Sequence, residues 1–362
     1  MTSAETVNGI LTIPTIDITP FVEDHGDGEA RAEARAAIAR AVDEAARTVG
    51  FLQITGHGIP DAVRDAFTAA TDAFFALGPE AKRAYICPPP INRGYSPPKS
   101  EALATSLGIT TAADLFEAFN VGTTAAEYPG LDLPAEEYAA NVHPAEVPSF
   151  EAAVGAWFAE AGRVARTMTR VFALALGLPE DYFGRYTDHS IDVLRMNNYR
   201  LPSVDAPLEP DQAGMGAHTD YGIVTVLWAD QVPGLEILGS DGRWHPVQPA
   251  DGALLVNLGD ALARWTNDQW ISTMHRVAPP RVGGELVPRR SAAYFHDGNA
   301  DAVIECLDVC TGPSRPPRYE PVTVGAHLAA KLAGSRARVP NPHAAREAAR
   351  LTAAPLATTP PR

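Results

Sequence analysis

The stretch Gly216-Ala217-His218-Thr219-Asp220-Tyr221-Gly222-Ile223-Val224-Thr225-Val226-Leu227-Trp228 decides how the rest of the chain is read. Its second half, from Ile223 to Trp228, is apolar and β-branched and reads as a buried strand. Its first half carries an imidazole and a carboxylate two residues apart, and a strand puts residues i and i+2 on one face. His218 and Asp220 can then converge on one ion while Thr219 points away. His275, far downstream, would close the set from another strand. Two histidines and one carboxylate can hold iron(II) and leave coordination positions open for chemistry.

Spacing alone does not single out this pair, because His25-Gly26-Asp27 repeats it. Context separates them. Asp27 is followed by Gly28-Glu29 and an alanine-rich helix, with no sheet for the pair to face, so His25 and Asp27 are expected to do nothing for a metal.

Helices come first along the chain and strands later. Arg31 to Val49 carries Ile38, Val42, Ala45 and Val49 at helical spacing, and Ala62 to Leu77 carries Val63, Phe67, Ala70 and Phe74. A longer helix from Ser149 to Leu176 has the stripe Phe150, Val154, Trp157, Ala161, Val164, Met168 and Val171, and Gly177 and Pro179 end it. That stripe is read as core bracing a sheet. From Asp192 the pattern changes to short apolar runs divided by Pro233-Gly234, Asp241-Gly242 and Asp251-Gly252: Val193 to Tyr199, Ile223 to Trp228, Leu235 to Leu238, Trp244 to Val247, Ala253 to Leu258, His275 to Ala278 and Ser291 to His296. Antiparallel strands of this kind suit a double-sheet jelly roll, making a mixed α+β, mainly β fold.

Composition narrows the function classes. A net charge of -15 argues against a nucleic-acid backbone as partner, since such binding rests on clustered positive charge. No apolar run is long enough to span a bilayer and no charged-then-apolar leader opens the sequence, so the cytoplasm is the expected location and no membrane partner is expected. Cys87, Cys306 and Cys310 form no disulfide or metal pattern and read as reduced thiols. The sequence leaves the oligomeric state open, a monomer being compatible with it.

Five landmarks then occur in order: Arg195-Met196-Asn197-Asn198-Tyr199, Gly216 to Gly222, Val232-Pro233-Gly234-Leu235-Glu236-Ile237, Val256-Asn257-Leu258-Gly259-Asp260, and Thr266-Asn267 leading through Ser272-Thr273-Met274-His275-Arg276-Val277 to Arg289-Arg290-Ser291. With them the segment from Asp192 to Asn299 resembles the catalytic core of the iron(II)/2-oxoglutarate-dependent dioxygenases, in the branch of isopenicillin N synthase. Upstream, Ile13-Pro14-Thr15-Ile16-Asp17-Ile18, Gly50-Phe51-Leu52-Gln53-Ile54 with Gly56-His57-Gly58-Ile59-Pro60, Phe74-Phe75-Ala76-Leu77 with Glu80-Ala81-Lys82, and Arg93-Gly94-Tyr95 resemble the N-terminal part of the same branch.

The resemblance implies a double-stranded β-helix, cupin-like, with N-terminal and bracing helices. It divides the chain into an N-terminal region (1–120), a linking segment with the bracing helix (121–190), the catalytic core (191–335) and a flexible tail (336–362). It implies that His218, Asp220 and His275 bind Fe(2+). Arg289 and Ser291 share a strand face, so a guanidinium fork and a hydroxyl can grip one carboxylate; by resemblance this is the Arg-x-Ser motif for the distal carboxylate of 2-oxoglutarate, with Tyr199, or Asn198 if the alignment slips by one, adding to it. The implied reaction consumes O2, decarboxylates 2-oxoglutarate to succinate and CO2, and oxidises a small molecule, by hydroxylation as the default. Arg93, Tyr95, Phe119, Asn120, Asn198 and Trp265 are the candidate substrate residues, and Arg93 suggests a small acidic or amphipathic substrate. His57, His189, His245 and His296 read as structural histidines. The rival readings are an oxidase of the isopenicillin N synthase type, which needs no 2-oxoglutarate, and a non-catalytic binding protein on the same scaffold.

Overall fold

The Arg31–Val49 and Ala62–Leu77 periodicities become helices at Gly28–Thr48 and Asp61–Phe75, and the long stripe becomes Phe150–Ala175 with every named stripe residue buried. This is a computed structural model of the chain, and it describes residues 6–7, 10–11, 13–23, 28–104, 112–200 and 212–337. His25, Asp27 and the tail beyond Ala337 lie outside the described residues.

Two facing sheets form the centre. The larger has eight strands in the order Thr15–Asp17, Phe51–Thr55, Leu254–Leu258, Val224–Ala229, Arg289–His296, Val193–Tyr199, Phe116–Gly122 and Gly94–Ser96. All its pairings are antiparallel except the first. The smaller has Trp244–Pro246, Leu235–Leu238, His275–Val277 and Met215–His218, also antiparallel. With the neighbouring helices they make the double-stranded β-helix expected from the sequence.

Strand alternation gives the large sheet two faces with different duties. Leu52, Ile54, Val256, Val226, Ala292, Met196 and Phe119 point to the helices and join Phe67, Phe74, Trp157 and Met168 in one core cluster. Phe51, Leu255, Ala118, Phe116 and Tyr199 point to the small sheet and join Met215, Leu235, Ile237 and Val277 in a second. At about 25 cal/mol per Å² of apolar surface, the aromatics stacked in the first cluster, such as Phe67 on Trp157 at 4.8 Å between ring centres, supply the main drive for docking helices on the sheet.

Several elements were not anticipated, three of them important for the core and the site. Phe116–Gly122 is a fully buried strand between Val193–Tyr199 and Gly94–Ser96, Thr15–Asp17 pairs in parallel with Phe51–Thr55, and the described chain ends in the helix Val324–Ala337. Among the described residues no helix is long and apolar enough to cross a membrane.

Candidate active site

His218 ends its strand and stands directly opposite His275, the first residue of the neighbouring strand, so the backbone ladder brings the two imidazoles together with ring centres 4.2 Å apart. Asp220 lies beyond the strand end, in the loop that leads to Val224–Ala229. The i, i+2 strand argument therefore does not explain its position; the loop does. The amide of Asp260 donates to the Asp220 carbonyl at 2.8 Å, and the amide of Ala261 donates to those of Tyr221 and Gly222. Only glycines permit that approach, because a Cβ on Gly259 would come 2.0 Å from the Gly222 carbonyl oxygen.

The result is one cluster of donors. Asp220 Oδ1 lies 3.8 Å from His218 Nε2 and 3.7 Å from His275 Nε2, and all three ligand atoms fall within 4.8 Å of one another. The other side of each ligand is already committed. His218 Nδ1 meets the Gly216 carbonyl at 2.7 Å and His275 Nδ1 the Thr273 carbonyl at 3.1 Å, which puts each ring proton on Nδ1 and turns each Nε2 lone pair inward. Asp220 Oδ2 accepts from Thr225 Oγ1 at 2.5 Å and Asn257 Nδ2 at 2.6 Å, leaving Oδ1 for the ion. Burial, followed by the neighbouring His275, pushes the His218 imidazole down to about 3, so it is neutral at physiological pH, as a ligand must be. Two neutral nitrogens and one carboxylate oxygen, buried and converging, fit iron(II). Asn257 and Thr225 were passed over in the sequence, although an asparagine within the otherwise apolar run Leu254–Leu258 was a visible signal.

Arg289, Ser291 and Tyr199 share the face of the large sheet that looks toward this cluster. Arg289 pairs with Tyr199 in register and its guanidinium lies 5.1 Å from that ring. Register thus favours Tyr199 over Asn198, which pairs with Arg290. Arg289 is 2 % exposed; its Nε donates to the Val232 carbonyl at 3.2 Å, while its Nη1 is buried with no partner among the described residues. A buried unpaired guanidinium nitrogen is costly unless a ligand completes it, and a carboxylate fits. Ser291 Oγ lies 3.4 Å from Asn197 Nδ2 on the same face.

The expected substrate residues fare differently. Tyr95, Phe119 and Asn198 lie on the opposite, helix-side face of the sheet. Asn198 Nδ2 donates to Glu117 at 2.7 Å and Tyr95 donates to the same carboxylate, which forms a buried ion pair with Lys82 at 2.7 Å. Phe119 packs on Phe74 and Phe150. Trp265 is fully buried between Phe183 and Tyr186. These four show core packing in place of the expected substrate contact: for Tyr95, Phe119 and Asn198 one residue of strand register decides the face, and Trp265 ends the helix Asp260–Trp265 with its ring turned inward. Arg93 is buried against Gly122 and donates to the carbonyls of Asn92, Thr123 and Glu137, so its charge is spent on the backbone. Asn120 does face the small sheet; its Nδ2 donates to Asn92, and its buried Oδ1 has no partner among the described residues. Beside it in register is Arg195, unassigned by the sequence, which lies over Phe116, donates to Glu101 at 2.9 Å and is close enough to His218 to act on its charge.

Of the other histidines, His296 Nδ1 donates to the Asp192 carboxylate on the helix side at 3.0 Å, His245 meets Asp241, His189 lies between Asp188 and Asp301, and His57 meets the Gly252 carbonyl.

Two family models match the chain: the N-terminal region described as non-haem dioxygenase in morphine synthesis, over residues 13–146, and the 2OG-Fe(II) oxygenase superfamily, over residues 191–298. A 2-oxoglutarate-Fe(II) type oxidoreductase, hxnY, of Emericella nidulans is 34% identical over 317 residues, covering 86% of each chain. A homoarginine-6-hydroxylase of Oryza sativa subsp. japonica is 31% identical, covering 88% of this chain and 96% of its own. Among solved structures, a full-length Neurospora crassa protein in complex with alpha-KG and 5-formyluracil superposes with a TM-score of 0.77 at 27% identity, over 92% of this chain and 99% of that one.

Proposed function

Because the chain belongs to the 2OG-Fe(II) oxygenase superfamily, and so is an enzyme that oxidises a small molecule with iron(II), 2-oxoglutarate and O2, we propose that it hydroxylates a compact polar metabolite between its two sheets. In this reading His218, Asp220 and His275 hold the iron, and Arg289, Ser291 and Tyr199 take the distal carboxylate of 2-oxoglutarate. The observation that carries it is the orphaned Arg289 Nη1, buried on the face that looks toward the three converging ligand atoms. Bound iron and 2-oxoglutarate together supply the activation of O2.

The protein's own part is to place and to exclude. The Gly216 and Thr273 carbonyls fix the imidazole tautomers, and Thr225 with Asn257 keeps Asp220 from swinging away from the ion. Arg289 aligns the cosubstrate with a charge-assisted fork instead of a point charge. Arg195 and Asn120 are the polar side chains that would orient a substrate beside the metal. A polar, nitrogen-bearing substrate is consistent with the names of the relatives, one a homoarginine hydroxylase, another crystallised with 5-formyluracil.

The test is direct. Purified protein with iron(II), 2-oxoglutarate and O2 is expected to release succinate, faster when a substrate from a panel of amino acids, amides and nucleobases is present. Absence of succinate under all conditions, with O2 still consumed, would favour the oxidase reading.

A further inference from the structure

The loop that carries Asp220 is braced by an element that contributes no ligand. From the helix Val324–Ala337, Lys331 reaches Asp260 with 2.7 Å between Nζ and Oδ2, and the two side chains are 5% and 7% exposed. The same Oδ2 accepts a hydrogen bond from Thr219 Oγ1 at 3.0 Å, and Thr219 stands between the two ligands His218 and Asp220. One turn earlier on the helix, His327 Nε2 lies 3.1 Å from the Tyr221 carbonyl, and the Lys331 ammonium is 5.7 Å from the centre of the Tyr221 ring. Thr219, Asp220 and Tyr221 are therefore each tied to Asp260 or to that helix.

A buried ion pair is a poor device for stability, because desolvation offsets most of the attraction, and a better one for fixing a geometry. Asp260 already holds the Asp220 carbonyl through its own amide. Its carboxylate adds a second hold, on Thr219, which works only while something keeps that carboxylate ionised and aimed; Lys331 does both. We propose that Lys331 is a positioning residue for the metal: through Asp260 it locks Thr219 and so sets the separation of His218 and Asp220. The C-terminal helix is thereby part of the metal site without touching the metal. This rests on the metal reading above.

The experiment measures Co(II) affinity, as a redox-stable stand-in for iron(II), together with the urea midpoint of the metal-free protein. Lys331→Met is expected to weaken Co(II) binding on the order of 10-fold, the usual cost of losing an outer hydrogen-bond partner. Lys331→Arg is expected to recover most of it. Thr219→Val should weaken binding by a similar factor, and Thr219→Val combined with Lys331→Met by no more than either alone. Because Lys331→Met leaves Asp260 unpaired and can lower stability by itself, Asp260→Asn with Lys331→Met is the deciding variant. It carries no unpaired charge, and it is expected to keep its urea midpoint and still bind Co(II) about 10-fold more weakly. Wild-type affinity in that variant, or additive losses in the Thr219 and Lys331 pair, would overturn the proposal. Wild-type protein that took up no Co(II) would remove the metal reading itself.

Discussion

Arg289 and Arg290 are adjacent, chemically identical and answerable to opposite sides of one sheet. Arg289 ends in a buried nitrogen with no partner among the described residues, whereas Arg290 reaches Asp72 and Asn198 on the helix side. Arg289→Leu is expected to cost on the order of 2 to 4 kcal/mol of 2-oxoglutarate affinity while iron binding survives. Arg290→Leu should leave that affinity unchanged. Anaerobic titration of the iron(II) protein with 2-oxoglutarate, followed by the visible band of the chelate, ranks the two, and the reverse order would mean that the other arginine carries the cosubstrate. At the metal, His275→Ala should abolish turnover and lower iron content far below that of wild type without unfolding the chain; full iron affinity in that variant would dissolve the triad. The ligand set was legible because the apolar strand after Asp220 and the ordered landmarks around it, and not the spacing, set it apart from His25-Gly26-Asp27. Arg195 was not, because a lone arginine inside Val193–Tyr199 carries no sign of which face it takes until its neighbours Glu101 and Phe116 are seen.

At the scale of elements, apolar periodicity located the long helices and most strands of the two sheets, and it failed where a buried polar group interrupted it. Phe116–Gly122 contains Glu117 and Asn120 on opposite faces, which cancels the alternation; Glu117 is tolerable inside only because Lys82 pairs with it from another part of the chain. The C-terminal helix was missed for a related reason, since its two most telling residues, His327 and Lys331, are polar and face inward toward Tyr221 and Asp260. That docking should depend on pH. Burial, ahead of every other influence, holds the His327 imidazole down to about 4, against about 6.5 in an unfolded chain. Between those values the unfolded chain takes up a proton that the folded chain does not, so stability is fully present above about pH 6.5 and is lost as pH falls toward 4. From pH 7 to pH 5 the loss is expected to be on the order of 2 kcal/mol. Urea unfolding at the two pH values should show a smaller drop for His327→Gln than for wild type, and equal drops would assign the pH dependence elsewhere.

For the whole molecule, ligand binding and folding are linked. His218 and His275 are brought together only by folding, so an ion they hold binds the folded chain alone, and Co(II) at 100 times its Kd should add about 2.7 kcal/mol of stability, read as a rise in melting temperature that a chelator reverses. The two regions recognised by separate family models, 13–146 and 191–298, contribute strands to the same sheet: Leu254–Leu258 lies against Phe51–Thr55, and Val193–Tyr199 against Phe116–Gly122. We expect residues 191–337 expressed alone to aggregate, because both borders of their part of the sheet would be open; a soluble fragment with a cooperative melt would show the two regions to be separable. The same interleaving has a consequence for how the protein is made. Phe51–Thr55 leaves the ribosome long before its partner Leu254–Leu258 exists, and at roughly 5 to 20 residues per second the wait is on the order of ten seconds or more. During that interval an apolar strand has one permanent neighbour missing, so the newborn chain, and not the finished enzyme, is where a chaperone has most to do.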